Sequence, residues 1–167
     1  PRLLGHQFFS DNAYLDTLTL VPGGVVSLSG NVSGTFTSNN LYFLDGDITI
    51  PYGDSLIIEA GTQILFRGYY SITANGPLFV NGTPGNKVIF SSRMPVPAVG
   101  DWNSIYLSDS ATGSVIKHAV YKYATDGFIC NYLGQLTIWG CEINTLAINA
   151  RAITLNNCSN VDIRYNT

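Results

Sequence analysis

Four acidic side chains in the first half of the sequence have the type and spacing that acid–base chemistry requires. Asp45 and Asp47 are two residues apart and would share one face of an extended strand, and Asp54 and Glu59 follow. A glycoside hydrolase needs two carboxyl groups flanking the glycosidic bond, and a calcium-assisted lyase needs clustered carboxylates with a basic residue beside them. Asp45, Asp47 and Asp54 also suit solvated turns. Arg151 and Arg164 could face outward on late coils, but no acidic partner recurs beside them. We favour the turn interpretation and predict no catalytic residue.

The two histidines do not indicate nucleophilic catalysis. His118 lies in a strand-like stretch between Lys117 and Ala119, where a structural position is favoured, and His6 has no obvious acid–base partner. No G-x-S-x-G turn, which would present a strained nucleophile, occurs in the sequence.

The three cysteines lack the spacing of a metal site. Their number is odd, and no two of them form a C-x-x-C pair; they are Cys130, Cys141 and Cys158. Buried thiols are therefore favoured over a disulfide framework, with a Cys141–Cys158 bridge left open as the alternative. The sequence predicts no metal site and no cofactor.

Aromatic side chains are numerous for a chain of this size, with 10 Tyr and 8 Phe. Several of them on one outer face would form a flat platform for glycans or a protein partner. The candidates for such a ligand platform are Tyr69, Tyr70, Trp102 and Tyr106. The alternative, which we favour, is that the aromatic rings cover turns and stack on one another.

Three N-x-[ST] sequons begin at Asn31, Asn81 and Asn157. They are candidate glycosylation sites if the source modifies such sequons. In an Asn-rich chain some matches arise by chance, so the sequons alone do not establish a compartment.

The composition predicts an all-β protein. Charged residues are only 11% of the chain, against roughly 25% in ordinary domains, and Gly, Asn, Ser and Thr take their place. Sustained helical periodicity is absent, and no apolar run approaches the ~18 residues of a membrane span. The net charge of −3, without a Lys/Arg cluster, argues against a nucleic-acid partner.

Short apolar segments separated by turn residues recur from Asn40 onward, which is typical of a β-solenoid rather than a sandwich of longer strands. Two self-similarities support repetition: Leu136–Cys141 resembles Ile153–Cys158 at an offset of 17 residues, and Ile57–Gly61 resembles Leu78–Gly82 at an offset of 21. Stacked coils would place like residues about 4.8 Å apart.

Two regions follow from this pattern. Residues 1–38, which include the alternating stretch Tyr14–Val21, are predicted to be an N-terminal cap or assembly segment, and residues 39–167 are predicted to form parallel β-helix coils. The last segment, 161–167, lacks an obvious cap. We expect either that the chain is part of a longer solenoid or that its end docks head-to-tail on another copy.

Residues 46–107 resemble secreted bacterial right-handed parallel β-helix repeat proteins, and the likeness continues more loosely to residue 167. The resemblance implies a right-handed parallel β-helix, with Trp102 packing over a turn, and says little about activity. The matching positions are Pro51, Gly53, Leu56, Ile58, Gly61, Ile64 and Phe66, then Gly76, Leu78, Gly82, Thr83, Val88, Phe90, Ser91 and Ser92, and finally Gly100, Asp101, Trp102 and Ile105.

These observations favour a non-enzymatic extracellular structural or adhesive module, secreted or at a cell surface. Its expected partners are other copies of itself or the rest of a longer solenoid, and glycans are a further candidate. The competing hypothesis is a carbohydrate-active enzyme or carbohydrate-binding module on the same scaffold, because fold does not fix function.

Overall fold

The computed structural model describes residues 23–167, and this part of the chain is built from short strands. Predictions for His6 and for Tyr14–Val21 fall outside the described residues. A three-residue 3-10 turn, Asp109–Ala111, joins two of the strands. The strands are β1 (Gly24–Asn31), β2 (Gly34–Phe36), β3 (Asn40–Ile50), β4 (Leu56–Glu59), β5 (Gln63–Phe66), β6 (Ile72–Ala74), β7 (Leu78–Asn81), β8 (Val88–Ser92), β9 (Ile105–Leu107), β10 (Ser114–Lys117), β11 (Ala119–Tyr121), β12 (Phe128–Asn131), β13 (Leu136–Trp139), β14 (Glu142–Ile143), β15 (Ile153–Asn156) and β16 (Val161–Arg164).

All pairing between these strands is parallel, and each strand pairs with its counterpart one coil further along the chain. One sheet has the order β14-β11-β8-β5-β3-β6-β9-β12-β15, with β1 on β3, and the other has the order β16-β13-β10-β7-β4-β2. The long strand β3 pairs with β5 through its first half and with β6 through its second half. The larger sheet therefore folds around a corner and forms two sides of a parallel β-helix.

The solenoid has three faces and six coils within the described residues. Face one contains the first half of β3 with β5, β8, β11 and β14, and face two contains its second half with β6, β9, β12 and β15. Face three is the smaller sheet. Coil one is β1–β2 and coil six is β14–β16, so the coils between them are covered on both sides.

The core consists of columns of inward-pointing residues that stack from coil to coil. Alternation along each strand turns every second side chain inward, and parallel register brings like positions together. On face three one such column runs through six strands, and its members up to coil five are buried. It consists of Phe36, Ile58, Val80, Ile116, Ile138 and Ile163.

Glycine is required where one coil crosses closely over the next. A Cβ at Gly76 would lie 2.1 Å from the backbone oxygen of Asp54, and one at Gly127 would lie 1.9 Å from that of Ala152. Neither contact is sterically allowed. Gly76, which matches the family pattern, is therefore required because the backbones of two coils come too close there for any side chain.

The register corrects both self-similarities seen in the sequence. Leu136 pairs with Val161, while Ile153 pairs with Phe128, so the two Cys-ending motifs lie on different faces. The second similarity, between Ile57–Gly61 and Leu78–Gly82, joins two strands that do pair. Its alignment is wrong by one residue, because Ile57 pairs with Phe79 rather than with Leu78. An apolar-Thr-apolar pattern marks any inward-outward-inward strand and does not identify its face.

Strands β1 and β2 lie on the N-terminal side of the predicted boundary between residues 38 and 39. Both pair in parallel with the next coil, through Val25 with Leu41 and through Gly34 with Leu56. Within the described residues they form the first coil of the solenoid. No helix in this part of the chain is long and apolar enough to cross a membrane.

Candidate functional site

Two of the carboxylates singled out in the sequence, Asp45 and Asp47, have separate partners. Asp45 accepts hydrogen bonds from Arg67 at 3.2 and 3.3 Å, on the face-one side of the corner in β3. A hydrogen bond from Ser27, with a smaller contribution from Arg67, lowers the pKa of the Asp45 carboxyl. Asp47, on the face-two side of that corner, accepts the Ser71 backbone N–H at 2.8 Å.

Asp54 and Glu59 are exposed, the first in the turn after β3 and the second at the end of β4. Within residues 23–167, His, Cys, Asp and Glu side chains do not gather in any group of three or more that could hold a metal ion. Two further ion pairs, Lys87 with Glu142 and Arg164 with Asp162, also lie along the surface. Asp45, Asp47 and Glu142 thus link different coils.

His118 occupies the corner between β10 and β11, in a left-handed backbone conformation with φ of 46°. Its ring lies 6.0 Å from that of Trp139, centroid to centroid. Its backbone N–H donates to the Trp139 carbonyl at 2.9 Å. The histidine therefore belongs to the wall of the solenoid at this corner.

Trp102 is fully buried and therefore cannot be part of the predicted ligand platform. Its ring stacks on Phe66 and lies 4.5 Å from the Tyr121 ring, centroid to centroid, at a tilt of 44°. Its indole N–H donates to the Lys122 carbonyl at 2.8 Å. The packing position implied by the family pattern is the one the structure shows.

The other platform candidates lie where coils three and four meet face two. Tyr70 is half-buried against the core, whereas Tyr69 is 59% exposed and its hydroxyl donates to Asn103 Oδ1 at 3.4 Å. Tyr106 points outward from β9 and accepts a hydrogen bond from Asn131 Nδ2 at 2.9 Å. Tyr69 and Tyr106 thus keep accessible polar edges on this face.

Asparagines extend this surface in a ladder that the sequence interpretation missed. Asn156 Nδ2 donates to Asn131 Oδ1 at 2.6 Å, and Asn131 in turn donates to Tyr106. Asn103 also donates to Ser71 Oγ at 3.0 Å. The spacing of 25 residues between Asn131 and Asn156 could have revealed the ladder once the coil length was known.

A second unpredicted cluster surrounds Trp139 on face three. Its ring is 42% exposed, with Lys117 Nζ 5.7 Å from the ring centroid and the Tyr165 ring 6.2 Å away. Alternation along β13 is the signal that could have found it. Leu136 and Ile138 point inward, so Trp139 must point outward.

All three cysteines are free thiols. Cys158 Sγ contacts the Cys130 carbonyl at 3.3 Å, whereas Cys141 Sγ contacts the Ile116 carbonyl at 3.7 Å. The open alternative of a Cys141–Cys158 bridge is thereby excluded. Burial raises the pKa of Cys130 to about 12 and also raises that of Cys141.

The three sequon asparagines are all exposed. Asn31 ends β1 and Asn81 ends β7, while Asn157 directly follows β15. An attached glycan would point away from the core at each position. Their glycosylation stays a prediction.

Comparison with protein families matches residues 29–124 to the pectate-lyase-like β-helix domain. The match covers more than half of the chain, and the parallel three-faced coils agree with it. The chain belongs to this family of parallel β-helix domains. Neither the curated proteins nor the solved structures gave a match.

Proposed function

We propose that this chain is a non-enzymatic structural or adhesive β-solenoid module that acts outside the cell. The observation that carries the proposal is the separate pairing of its carboxylates. Asp45 is paired with Arg67, Asp47 with the Ser71 backbone and Glu142 with Lys87. Each of these acids thus has a partner of its own, and within the described residues no group of three or more His, Cys, Asp and Glu side chains could hold a metal ion.

The rest of the surface supports an extracellular role. It is rich in Ser, Thr, Asn and Tyr and poor in charge, and the exposed sequons would tolerate glycans. Columns of inward-pointing residues stack from coil to coil and are buried up to coil five on face three, which makes the solenoid stiff and suits a spacer or display element. We propose both that the chain is secreted and that it adheres to other surfaces.

The experiment is retention of the purified chain on immobilised cell-surface material, measured by surface plasmon resonance. We expect saturable binding that persists after washing. The mass of the immobilised layer itself should stay constant, because the chain does not degrade it. Steady loss of the immobilised layer, dependent on chain concentration, would instead indicate degradation and would overturn the proposal. Failure to bind any cell-surface preparation would remove the adhesive role.

A second candidate function, carbohydrate binding, is favoured by the polar aromatic surface on face two. The exposed Tyr69 ring can stack on a sugar, while the Asn103 and Asn131 amides, close to Tyr69 and Tyr106, can bind hydroxyl groups. The description of the family as pectate-lyase-like points to the same class of ligand.

Titration calorimetry with soluble plant and bacterial polysaccharides tests this second candidate. Tyr69→Ala is expected to weaken binding by about tenfold or more, the value of one well-stacked ring. Tyr52→Ala is the matched control, since Tyr52 is 82% exposed in a different turn. Equal affinities of the wild type and both variants would exclude face two as the binding surface.

A further inference from the structure

The outer side of face one carries a second apolar cluster, which we call the outer cluster; it consists of Leu41, Phe43 and Leu65. Their neighbours Tyr42 and Leu44 belong to the main core instead. Because side chains alternate between the two sides of a strand, the outer cluster lies on the outside of the solenoid wall. In spite of this position, Leu41 and Phe43 are each only 5% exposed, and Leu65 is only 7% exposed.

Outward side chains at the centres of strands on the other two faces are not buried to this degree. Phe79 is the closest comparison, because it is an outward aromatic residue between Ile57 and Val115 of the adjacent coils, yet it stays partly exposed. Flanking coils alone therefore do not bury an outward side chain, and a further layer of chain must cover the outer cluster. The partly exposed positions in coils two to five are Thr49, Thr73, Tyr106 and Ile129 on face two, and Ile57, Phe79, Val115 and Thr137 on face three.

The described neighbours of the outer cluster do not explain its burial. Leu41 is flanked in register by Val25, which is 60% exposed, and by Gln63, which is partly exposed. The insertion 93–100 follows β8 on the same face, but its apolar side chains are turned to solvent, with Val96 75% exposed. The covering layer is therefore sought in the remaining part of the chain.

We infer that the outer cluster is the docking site of the chain's own N-terminal segment, residues 1–22. The inference goes beyond the proposed function and does not depend on it. The Gly23 N–H donates to the Asn39 carbonyl at 2.5 Å and Val25 pairs with Leu41, so the segment joins the solenoid at the beginning of face one. A segment of this length can span about 70 Å when extended, whereas neighbouring coils are about 4.8 Å apart. Its length is therefore more than sufficient to reach the cluster.

The segment has the apolar side chains that such a site requires. Leu18 and Leu20 lie in the alternating stretch Tyr14–Val21 and would share one side of an extended chain, while Thr17 and Thr19 would share the other side. Contact of the two leucines with the outer cluster would remove apolar surface of both partners from water, which is favourable.

The charges of the two partners are complementary. Arg67 and Arg93 lie at the rim of the outer cluster, with their guanidinium carbons 3.8 and 5.9 Å from the centroid of the Phe43 ring. The segment contains two acids, Asp11 and Asp16, and a single Lys or Arg residue. Opposite charges at the rim favour this segment as the occupant and fix its position on the face.

Docking at this site has a consequence for binding by the solenoid. It removes face one of coils two and three from the surface that other molecules can reach, and it leaves the surface around Tyr69 and Tyr106 on face two accessible. The N-terminal segment is thereby placed along the wall of the solenoid rather than over its first coil.

Alkylation of Leu65→Cys in the full chain, followed by peptide mass spectrometry, tests whether the segment covers the outer cluster. Labelling at position 65 is expected to be at least about tenfold slower than at Phe79→Cys, because the covering layer must first open. The Leu18→Asp/Leu20→Asp double variant should raise the rate at position 65 by a similar factor. Thr17→Asp/Thr19→Asp is the matched control and should leave that rate unchanged, and circular dichroism verifies that each variant is folded.

Two results of this experiment would overturn the inference. Equal labelling rates at positions 65 and 79, in chains with the native residues 1–22, would show that the outer cluster is not covered. A slow rate at position 65 that the Leu18→Asp/Leu20→Asp variant does not change would show that residues 1–22 are not the cover.

Photo-cross-linking then identifies the occupant directly. A benzophenone is attached to Arg93→Cys, at the rim of the outer cluster, in a full chain that also carries Cys158→Ala. Irradiation is expected to link it to residues 1–22 of the same chain, so that the product keeps the mass of a monomer. Tyr52→Cys, in the exposed turn between faces two and three, is the control and should give no such link. Cross-linked dimers, which would place a second copy's segment on the site, or links to residues 23–167 alone would overturn the inference.

Discussion

The ring of Trp102 lies 3.8 Å from that of Phe66, centroid to centroid, at an interplanar angle of 12°. The tryptophan follows the insertion between β8 and β9, so its stacking joins coil four to coil three across a corner. Asp101, the residue before it, accepts hydrogen bonds from Ser92 Oγ at 2.5 Å and from the Ala98 N–H at 2.9 Å. The Asp-Trp pair thus fastens the insertion to the solenoid.

Truncation of this indole should be among the most destabilising changes in the chain. Trp102→Ala is expected to lower the free energy of unfolding by about 3–5 kcal/mol, because it leaves a cavity between Phe66 and Tyr121. Urea unfolding followed by circular dichroism measures the loss. Tyr52→Ala, at an exposed ring, serves as the control and should change stability by about 0.5 kcal/mol at most. A loss below about 1 kcal/mol for Trp102→Ala would contradict the stacking.

Ser114 holds a buried polar position within an apolar column. Its hydroxyl donates to the Ala111 carbonyl at 2.6 Å and accepts the Leu78 N–H at 3.0 Å. Ser114→Ala removes the hydroxyl and leaves the Ala111 carbonyl and the Leu78 N–H without these bonds. The change should lower the free energy of unfolding by about 1–3 kcal/mol, measured by urea unfolding. The exposed Ser33→Ala change should be nearly neutral. Equal stability of the two variants would show that the Ser114 hydroxyl makes no such bonds.

Gly127 should tolerate no side chain. Gly127→Ala would drive a Cβ into the Ala152 backbone and is expected to cost about 3 kcal/mol or more. Gly85→Ala is a close control, because nothing lies within 4 Å of a Cβ at Gly85. Thermal unfolding should give a clearly lower melting temperature for Gly127→Ala than for Gly85→Ala. An unchanged melting temperature for Gly127→Ala would contradict the close approach of coils five and six.

The buried Cys130 thiol should make stability fall at high pH. Its folded pKa of about 12 exceeds the value in an unfolded chain, so above pH ~9 the unfolded chain releases a proton that the folded chain retains. Stability should therefore decrease by up to about 1.4 kcal/mol per pH unit between roughly pH 9 and 12. The raised pKa of the buried Tyr121 acts in the same direction.

Comparison with Cys130→Ala isolates the thiol in this pH dependence. The variant is expected to be less stable at pH 7 but to lose less stability than the wild type on going to higher pH. Urea titrations at several pH values measure both slopes. Parallel slopes for the two chains would show that Cys130 does not carry the effect.

The sequence predicted the fold class through short alternating strands and through the glycine pattern. Ile48 and Ile50 point inward as the alternation requires, and Gly76 stands where coils meet. The register of the strands could not be predicted, because the sequence separation between paired residues on face three is not constant. It varies from 22 residues for Leu56 and Leu78 to 36 residues for Phe79 and Val115. Insertions at corners change this distance without changing the strands.

The surface was predictable only in part for the same physical reason. Tyr69 and Trp102 are both aromatic residues near corners, yet one is exposed and the other fills the core. Which ring turns inward depends on contacts with the next coil, and a sequence without its register does not specify these. The Asn131–Asn156 ladder was hidden likewise, because its members become neighbours only through stacking.

The proposed absence of catalytic function in this solenoid is tested most directly by a depolymerisation assay. The full chain would be incubated with acidic and neutral polysaccharides, with and without calcium, and new reducing ends and unsaturated products would be measured over time. We predict no product above that of a heat-unfolded sample. Product formation by the wild type that is lost in the Asp45→Asn/Asp47→Asn double variant would contradict the claim.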